Sequence, residues 1–209
     1  MRWAFWLAPH ARLTMLRTLN RYAPMLVLTA AIGLGACAVI DPQRPAASDA
    51  PFDLIGRVAV NFEGRSFSSS VRWQHGAGRE EVWLMTPLGQ TIAHISSDDG
   101  GATLTSTDQK QYRATSVESL TRQALGWELP LTRLTWWVRG EPVPGSPPAA
   151  AERDERGRLT FLDQDGWRIT LVNYPPGEHG GLPRRLDLKS AAQEIRFVID
   201  AWRSADSAQ

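Results

Sequence analysis

Apolar and polar residues alternate along several short segments of the chain beyond residue 51. In the segment Phe52–Phe62, apolar side chains recur at every second position on either side of Gly56, which is the period of a half-buried strand. The same pattern, with Gly-containing turns between segments, predicts antiparallel hairpins. The further predicted strands are Phe67–Gln74, Glu81–Thr86, Thr91–Ser96, Ala102–Ser106, Arg158–Asp163, Trp167–Tyr174, Arg184–Lys189 and Glu194–Trp202.

A helical insertion divides the predicted strands into two groups. Ser116 can cap a helix that ends at Gly126, and Pro130 can start a second short helix over Leu131–Val138. A loop rich in Pro and Ala, Glu141–Ala151, leads back to the strands. We therefore predict a mainly β fold with an α insertion, in which an antiparallel sheet is curled around or covered by short helices.

The first 36 residues have the layout of a secretory signal peptide. They contain four arginines and no acidic residue, and their apolar run, Met25–Ala36, is too short to span a bilayer. The run leads into Leu34-Gly35-Ala36-Cys37, which resembles the lipobox of bacterial lipoproteins, and Cys37 is the only cysteine. We predict cleavage before Cys37 and attachment of diacylglycerol and an N-acyl chain to it. Met15 makes a more usual start for such a signal than Met1.

The remaining chain divides into a tether, a domain and a short tail. Residues 37–51 are rich in Pro, Ala, Asp and Ser, which predicts a flexible tether between lipid and domain. The domain is expected over residues 52–203 and a C-terminal tail over 204–209. Ala38 follows Cys37 where lipoproteins of the inner membrane carry Asp, so the likeness to bacterial lipoproteins implies an outer-membrane anchor with the domain facing the periplasm.

Charge and motif content argue against several classes of function. From Cys37 onward the chain has 19 basic and 22 acidic residues, a formal charge of −3, which removes the main support for nucleic-acid binding. His75, His94 and His179 are widely spaced without companion cysteines, so no metal site is predicted. No nucleophile elbow, phosphate loop or dinucleotide fingerprint occurs, and we expect neither catalysis nor a cofactor.

Tryptophans and one turn are the candidate functional features. Seven tryptophans follow Cys37, and each suits a core or the mouth of an apolar cavity. Adjacent residues of a helix point about 100° apart, so Trp136 and Trp137 are not expected to face the same core. In Thr86-Pro87-Leu88-Gly89 the Pro and Gly predict a turn that carries Leu88 at its tip, although single exposed apolar residues are common on surfaces.

These residues together resemble the LolB family of outer-membrane lipoprotein receptors. The likeness begins at the lipobox, includes the Leu88 turn and runs through nearly the whole domain in order. The other positions that carry it are Gly56-Arg57, Trp73, Tyr112-Arg113-Ala114, Gly126, Leu129-Pro130-Leu131, Trp137, Gly140, Asp154, Arg158-Leu159, Gln164, Gly166-Trp167 and Trp202.

The resemblance implies an incomplete antiparallel β-barrel closed by helices around a hydrophobic cavity. Such a protein takes the acyl chains of lipoproteins from the periplasmic carrier LolA and releases the cargo into the inner leaflet of the outer membrane. Leu88 matches the exposed loop residue that the family uses for delivery. Trp73, Trp137 and Trp167 match tryptophans of the family's core or cavity. We expect the receptor to be a monomer.

Three alternatives make different predictions. A structural or assembly lipoprotein that binds partners through its sheet edge would have a filled core rather than a cavity. A lipocalin-type binder would have a closed barrel, against which the helical insertion argues. A soluble LolA-type carrier would share the fold but lack Cys37 and the tether.

Overall fold

One antiparallel sheet and two short helices make up the fold in the computed structural model, which describes residues 50–76, 78–176 and 181–203. The strands are β1 (Phe52–Phe62), β2 (Arg65–Gly76), β3 (Arg79–Met85), β4 (Thr91–Asp98), β5 (Gly101–Ser106), β6 (Gln111–Ala114), β7 (Ala150–Arg153), β8 (Leu159–Gln164), β9 (Trp167–Val172), β10 (Arg185–Lys189) and β11 (Gln193–Arg203). The helices, α1 (Val117–Leu125) and α2 (Leu131–Trp137), separate β6 from β7 along the chain.

The sheet is open. Its eleven strands lie in the order β6-β5-β4-β3-β2-β1-β11-β10-β9-β8-β7, so β1 and β11 form the centre and β6 and β7 form the two edges. Every pairing between neighbours is antiparallel. The predicted fold class, an incomplete antiparallel barrel with a helical insertion, is confirmed.

The core lies between one face of the sheet and the two helices. Alternate residues of β1 from Leu54 to Phe62 are buried on this inner face, and α1 and α2 contribute Leu120, Leu134 and Trp137 from the other side. The N–H of Ser119 donates to the Ser116 hydroxyl at the start of α1. The sequence-based prediction of this helix, including its cap, is confirmed.

Two edge strands and several boundaries differ from the prediction. Strands β6 and β7 were not expected, and β7 begins inside the stretch Glu141–Ala151 that was predicted to be a loop. Both strands have only four residues, too few for a period of two to be recognised, and all residues of β7 are exposed. The predicted signal peptide, Cys37, most of the predicted tether and the predicted tail 204–209 lie outside the described residues.

Gly56 lies where β1 comes closest to its neighbour. The pairing of β1 with β11 shifts register between Ile55 and Gly56, and a Cβ atom at position 56 would lie 2.2 Å from the carbonyl oxygen of Val198. We expect Gly56→Ala to lower the free energy of unfolding by about 2 kcal/mol, because the two central strands must move apart. Urea unfolding measures this change. Gly76→Ala is the control, since its Cβ would meet only Pro51 at an ordinary 3.4 Å; equal losses in both variants would contradict the assignment.

Ion pairs cross the outer face of the sheet. Arg72 on β2 donates to both carboxylate oxygens of Asp53 on β1, at 3.2 and 2.7 Å. Burial acts to raise the pKa of Asp53, but hydrogen bonds from Arg72 and Gln74 outweigh it and hold the pKa below its usual value. The same balance of burial against hydrogen bonds from Arg196 and Arg185 lowers the pKa of Asp187.

These lowered pKa values predict acid sensitivity. A carboxyl group whose pKa is lower in the folded protein stabilises the fold above its unfolded pKa of about 4, and this stabilisation is lost as the pH falls through the folded value. We therefore expect Asp53→Asn to be less stable than the parent protein at pH 7, with a difference that shrinks at pH 3. Urea unfolding at both pH values measures it, with the exposed Asp99→Asn as control. A difference that persists at pH 3 would rule out the ionised pair as the cause.

Candidate lipid-binding pocket and membrane-facing loop

An apolar pocket lies between the inner face of the sheet and the helical insertion. Its residues come from β1, β2, β3 and β11 on one side and from α2 and the segment before it on the other. They are Val58, Val71, Trp73, Val82, Leu84 and Phe197 from the sheet, and Trp127, Leu129, Leu131 and Leu134 from the insertion. The only polar side-chain atoms among these ten residues are the indole nitrogens of Trp73 and Trp127.

The pocket is almost filled. Its volume is about 10 Å³, which is about the space that a single water molecule needs. The resemblance to the LolB family predicted a hydrophobic cavity. The structure has the apolar walls of such a cavity, with almost no space between them. Leu131 and Leu134 line the pocket from the helical side, and both side chains are buried.

Trp73 is the predicted tryptophan that lines this pocket. Its ring is 1% exposed, and the indole N–H donates to the Glu80 carboxylate at 2.6 Å. The rings of Phe52 and Trp73 pack edge to face, with a centroid distance of 4.8 Å. The polar atom of Trp73 is therefore satisfied at the rim, which leaves its apolar surface to the pocket.

Trp137 and Trp167 lie elsewhere in the core. Their ring centroids are 6.3 Å apart, and neither residue lines the apolar pocket. Trp137 is fully buried, whereas the adjacent Trp136 is half-buried and lines a surface groove of about 310 Å³ beside His75. The two neighbouring tryptophans thus have different surroundings, as the helical geometry predicted.

Gln164 holds the end of α2 and the chain after it against β8. Its carbonyl oxygen accepts from the Trp137 indole at 3.1 Å and from the Val143 N–H at 2.9 Å. Its amide donates to the carbonyl oxygens of Val143 at 2.9 Å and Ser146 at 2.5 Å. Gln164 is 1% exposed, and the sequence signal for it is a polar residue at an inward position of a strand.

Gln193 and Thr121 hold the segment between the two helices. The Glu128 N–H donates to the Gln193 side chain at 2.9 Å, and the Gln193 amide donates back to the Glu128 carbonyl at 2.5 Å. The Leu129 N–H donates to the Thr121 hydroxyl at 2.9 Å. These bonds fix the backbone of the pocket's helical wall, while the contacts across the pocket itself are apolar. Neither Gln193 nor Thr121 was predicted from the sequence to hold this segment.

Leu88 stands at the tip of the hairpin between β3 and β4. The N–H of Thr86 donates to the Gln90 carbonyl at 2.8 Å, and the N–H of Gly89 donates back to the Thr86 carbonyl at 2.9 Å. The positive φ of Gly89, 83°, closes the turn. Leu88 is 90% exposed and is the one large exposed apolar side chain among the described residues. Leu88 therefore lies at a turn, as the sequence predicted, and backbone hydrogen bonds hold that turn.

The two described histidines contact carboxylates. His75 Nδ1 lies 2.5 Å from Glu80 Oε1, and His94 Nε2 lies 2.5 Å from Glu81 Oε2. In the described part of the chain, no group of three His, Cys, Asp or Glu side chains is arranged to hold a metal ion. His179 and Cys37 lie outside the described residues. Within the described ranges, no helix has the length and apolar character needed to cross a bilayer.

Comparisons with known proteins identify close relatives. The chain is 41% identical to the outer-membrane lipoprotein LolB of Thiobacillus denitrificans over 86% of this chain and 97% of that protein. It is 40% identical to the LolB of Nitrosomonas europaea over 79% of each. Among solved structures, it is similar to a LolA superfamily protein, NE2245 of Nitrosomonas europaea, with a TM-score of 0.44, 9% identity and coverage of 74% of this chain and 86% of that one.

The family model described as outer membrane lipoprotein LolB matches residues 50–202, which include the pocket and the Leu88 hairpin. This family is a non-enzymatic one without a cofactor. The match covers most of the chain, and the two relatives align over 97% and 79% of their length. The chain therefore belongs to the LolB family of outer-membrane lipoproteins.

Proposed function

We propose that this protein accepts lipoproteins from a LolA-type periplasmic carrier and inserts them into the inner leaflet of the outer membrane. Membership of the LolB family supports a role in lipoprotein localisation. The observation that carries the proposal is the pocket, whose ten lining residues are hydrophobic and which lies between the sheet and the helical insertion. Acyl chains are the part of a lipoprotein that such a surface can bind.

Cargo enters by separating the two walls of the pocket. The helical wall is formed by Trp127, Leu129, Leu131 and Leu134, and it meets the sheet through apolar contacts. An acyl chain that replaces these contacts keeps both walls of the pocket out of water. Opening the pocket around an acyl chain therefore costs much less free energy than opening it in the empty protein. Helix α2 has only seven residues, too few to be stable without its packing on the sheet, so it is the wall that we propose moves when the contacts across the pocket are replaced.

Transfer then needs no energy source. A receptor that holds acyl chains more tightly than the carrier, and less tightly than a bilayer does, passes cargo in one direction. In this proposal the lipids on Cys37 keep the receptor at the outer membrane, since two or more acyl chains anchor a protein durably. Leu88 enters the bilayer interface and shortens the path that the cargo's acyl chains cross through water. Trp73 lies at the pocket, and Trp137 and Trp167 support its helical wall.

Transfer of a labelled lipoprotein tests the proposal. A complex of the carrier with its cargo is mixed with residues 38–209 of this protein, and the cargo bound to each protein is measured after separation. We expect most of the cargo to move to the receptor. If folded receptor takes none, the receptor role is wrong. The nearly filled pocket would then favour the alternative, a structural lipoprotein that binds partners through its sheet edge.

A further inference from the structure

The surface groove beside His75 adjoins the apolar pocket. Leu131 of α2 lines both of them, so this residue lies where the pocket and the groove meet. On the sheet side, Trp73 lines the pocket and donates to Glu80, which lines the groove. The groove has a volume of about 310 Å³, at the lower end of the range for small-molecule sites. A ligand whose apolar part lay in the pocket would pass Leu131 and continue into this groove.

The inner face of the sheet changes from apolar to polar where it reaches the groove. Trp73 and Val82 are register partners that line the pocket. The next row along the same face lines the groove and consists of His75, Glu80 and Ser97. Two residues of strand span about 7 Å. The polar row therefore begins about 7 Å beyond the last apolar row of the pocket.

Hydroxyl groups without protein partners line the groove from both sides. Ser97 lies on the sheet side, Thr115 directly precedes the N-cap of α1, and Thr132 lies in the first turn of α2. In the part of the chain that the structure describes, the side-chain oxygens of these three residues make no hydrogen bond to the protein. Each hydroxyl can donate one hydrogen bond. The groove can therefore satisfy acceptor atoms of a ligand.

The charges of the groove do not suit a phosphate. None of its ten lining residues is Lys or Arg. Its carboxylate, Glu80, accepts from the Trp73 indole at 2.6 Å and contacts His75 Nδ1 at 2.5 Å, so both of its oxygens are engaged. A phosphate in the groove would lie near this carboxylate without a Lys or Arg partner, and such a placement of like charges is unfavourable.

From these features we infer that the groove binds the neutral glyceryl diester that joins the acyl chains of a lipoprotein to its cysteine, and that it discriminates against phospholipids. The inference rests on the proposed function, in which the acyl chains occupy the pocket. Ester carbonyl oxygens are uncharged acceptors, and they lie at the ends of the acyl chains, where the pocket meets the polar row. A phospholipid has the same two esters but adds a phosphate, which the groove cannot pair.

Replacing the esters by ethers tests the hydrogen bonds. Binding to residues 38–209, which include every described residue, is measured by isothermal titration calorimetry. The ligands are a neutral S-diacylglyceryl-cysteine peptide and its dialkyl ether analogue, both with short chains that keep them monomeric. They have matched apolar parts, but the ether lacks the carbonyl acceptors. We expect the parent protein to bind the diester about tenfold more tightly, which is the effect of one or two neutral hydrogen bonds.

A variant without the three hydroxyls locates this preference. It combines Ser97→Ala, Thr115→Val and Thr132→Val, and none of these residues is buried. The matched control makes the same kinds of change on the outer face of the sheet, at the half-buried residues Ser96, Thr103 and Thr105. We expect the groove variant to bind diester and ether equally and the control to keep the preference. Equal binding of the two ligands by the parent protein, or a preference that persists in the groove variant, would overturn the inference.

Phosphatidylglycerol with the same short acyl chains tests the discrimination. We expect the parent protein to bind it at least about tenfold more weakly than the diester peptide, because of the Glu80 carboxylate. Thr132→Lys supplies a cation at the groove, and we expect it to raise the ratio of phosphatidylglycerol affinity to diester affinity several-fold. Thr105→Lys on the outer face is its control. Equal affinities of the parent protein for both lipids, or an unchanged ratio in Thr132→Lys, would overturn the discrimination.

These measurements separate the groove from the proposed function, since they need neither carrier nor vesicles. If the parent protein prefers the diester but takes no cargo from the carrier, the receptor role fails and the glyceryl site stands. If cargo moves to the receptor while diester and ether bind equally, the glyceryl site fails and the receptor role stands.

Discussion

Replacing Leu88 with Glu is expected to abolish insertion of cargo into the membrane while acceptance from the carrier continues. Leu88 is 90% exposed and packs against no core residue, so the substitution leaves folding intact. A charged side chain is unfavourable in a bilayer, with a cost that reaches roughly 3 kcal/mol at its centre, whereas Leu is favourable there. We therefore expect the rate of insertion to fall at least about tenfold, with cargo accumulating on the receptor.

Two measurements on the same reaction separate these steps. Cargo bound to the receptor reports acceptance, and cargo that floats with vesicles reports insertion. Leu88→Phe is the matched control, because it keeps a large apolar side chain at the tip of the hairpin. Normal insertion by Leu88→Glu would contradict the proposed role of the hairpin, and loss of acceptance would mean that Leu88 acts at the carrier instead.

Gln164→Leu is expected to cause the largest loss of stability among single substitutions of polar residues in this domain. The side chain makes four hydrogen bonds in a site that is 1% exposed. Leu has a similar size but leaves the Trp137 indole N–H and the Val143 N–H without their acceptor. Buried groups without partners cost about 1–3 kcal/mol each, and we expect a total loss of about 3 kcal/mol.

Urea unfolding measures the loss, and hydrogen exchange locates it. Amides of α2 and of residues 143–146 should lose protection in Gln164→Leu, while those of β1 and β2 follow global unfolding. Gln123→Leu is the control, since Gln123 is exposed on α1. A stability like that of the control would mean that the amide network contributes little to holding α2 in place.

The sequence predicted the regular parts of the fold because their signals are local. Alternation in Phe52–Phe62 is long enough to identify β1, and Ser116 and Gly126 mark both ends of α1. The edge strands β6 and β7 escaped prediction because four residues hold too little pattern, and their pairing partners are fixed by the whole sheet. Local signals therefore predicted the centre of the sheet better than its edges.

The candidate site was predictable in its exposed part and less so in its buried part. Pro87 and Gly89 define a turn by their own backbone preferences, so Leu88 could be placed at its tip. Which tryptophan faces the pocket depends instead on contacts between distant segments, and of the three predicted candidates only Trp73 lines it. The small volume of the pocket depends on how the helical insertion packs on the sheet, and no local sequence pattern predicts that packing.

The all-apolar lining of the pocket bears on how many different proteins a single receptor can serve. Contacts between hydrocarbon surfaces have no preferred direction, and they include no hydrogen-bond donor or acceptor that could recognise a particular chemical group. The one polar atom of Trp73 is engaged by Glu80 at the rim. A binding surface of this kind cannot distinguish lipoproteins by their polypeptide sequence, so the proposed receptor would accept many different ones. Selection of the lipoproteins that leave the inner membrane would then occur before they reach this receptor.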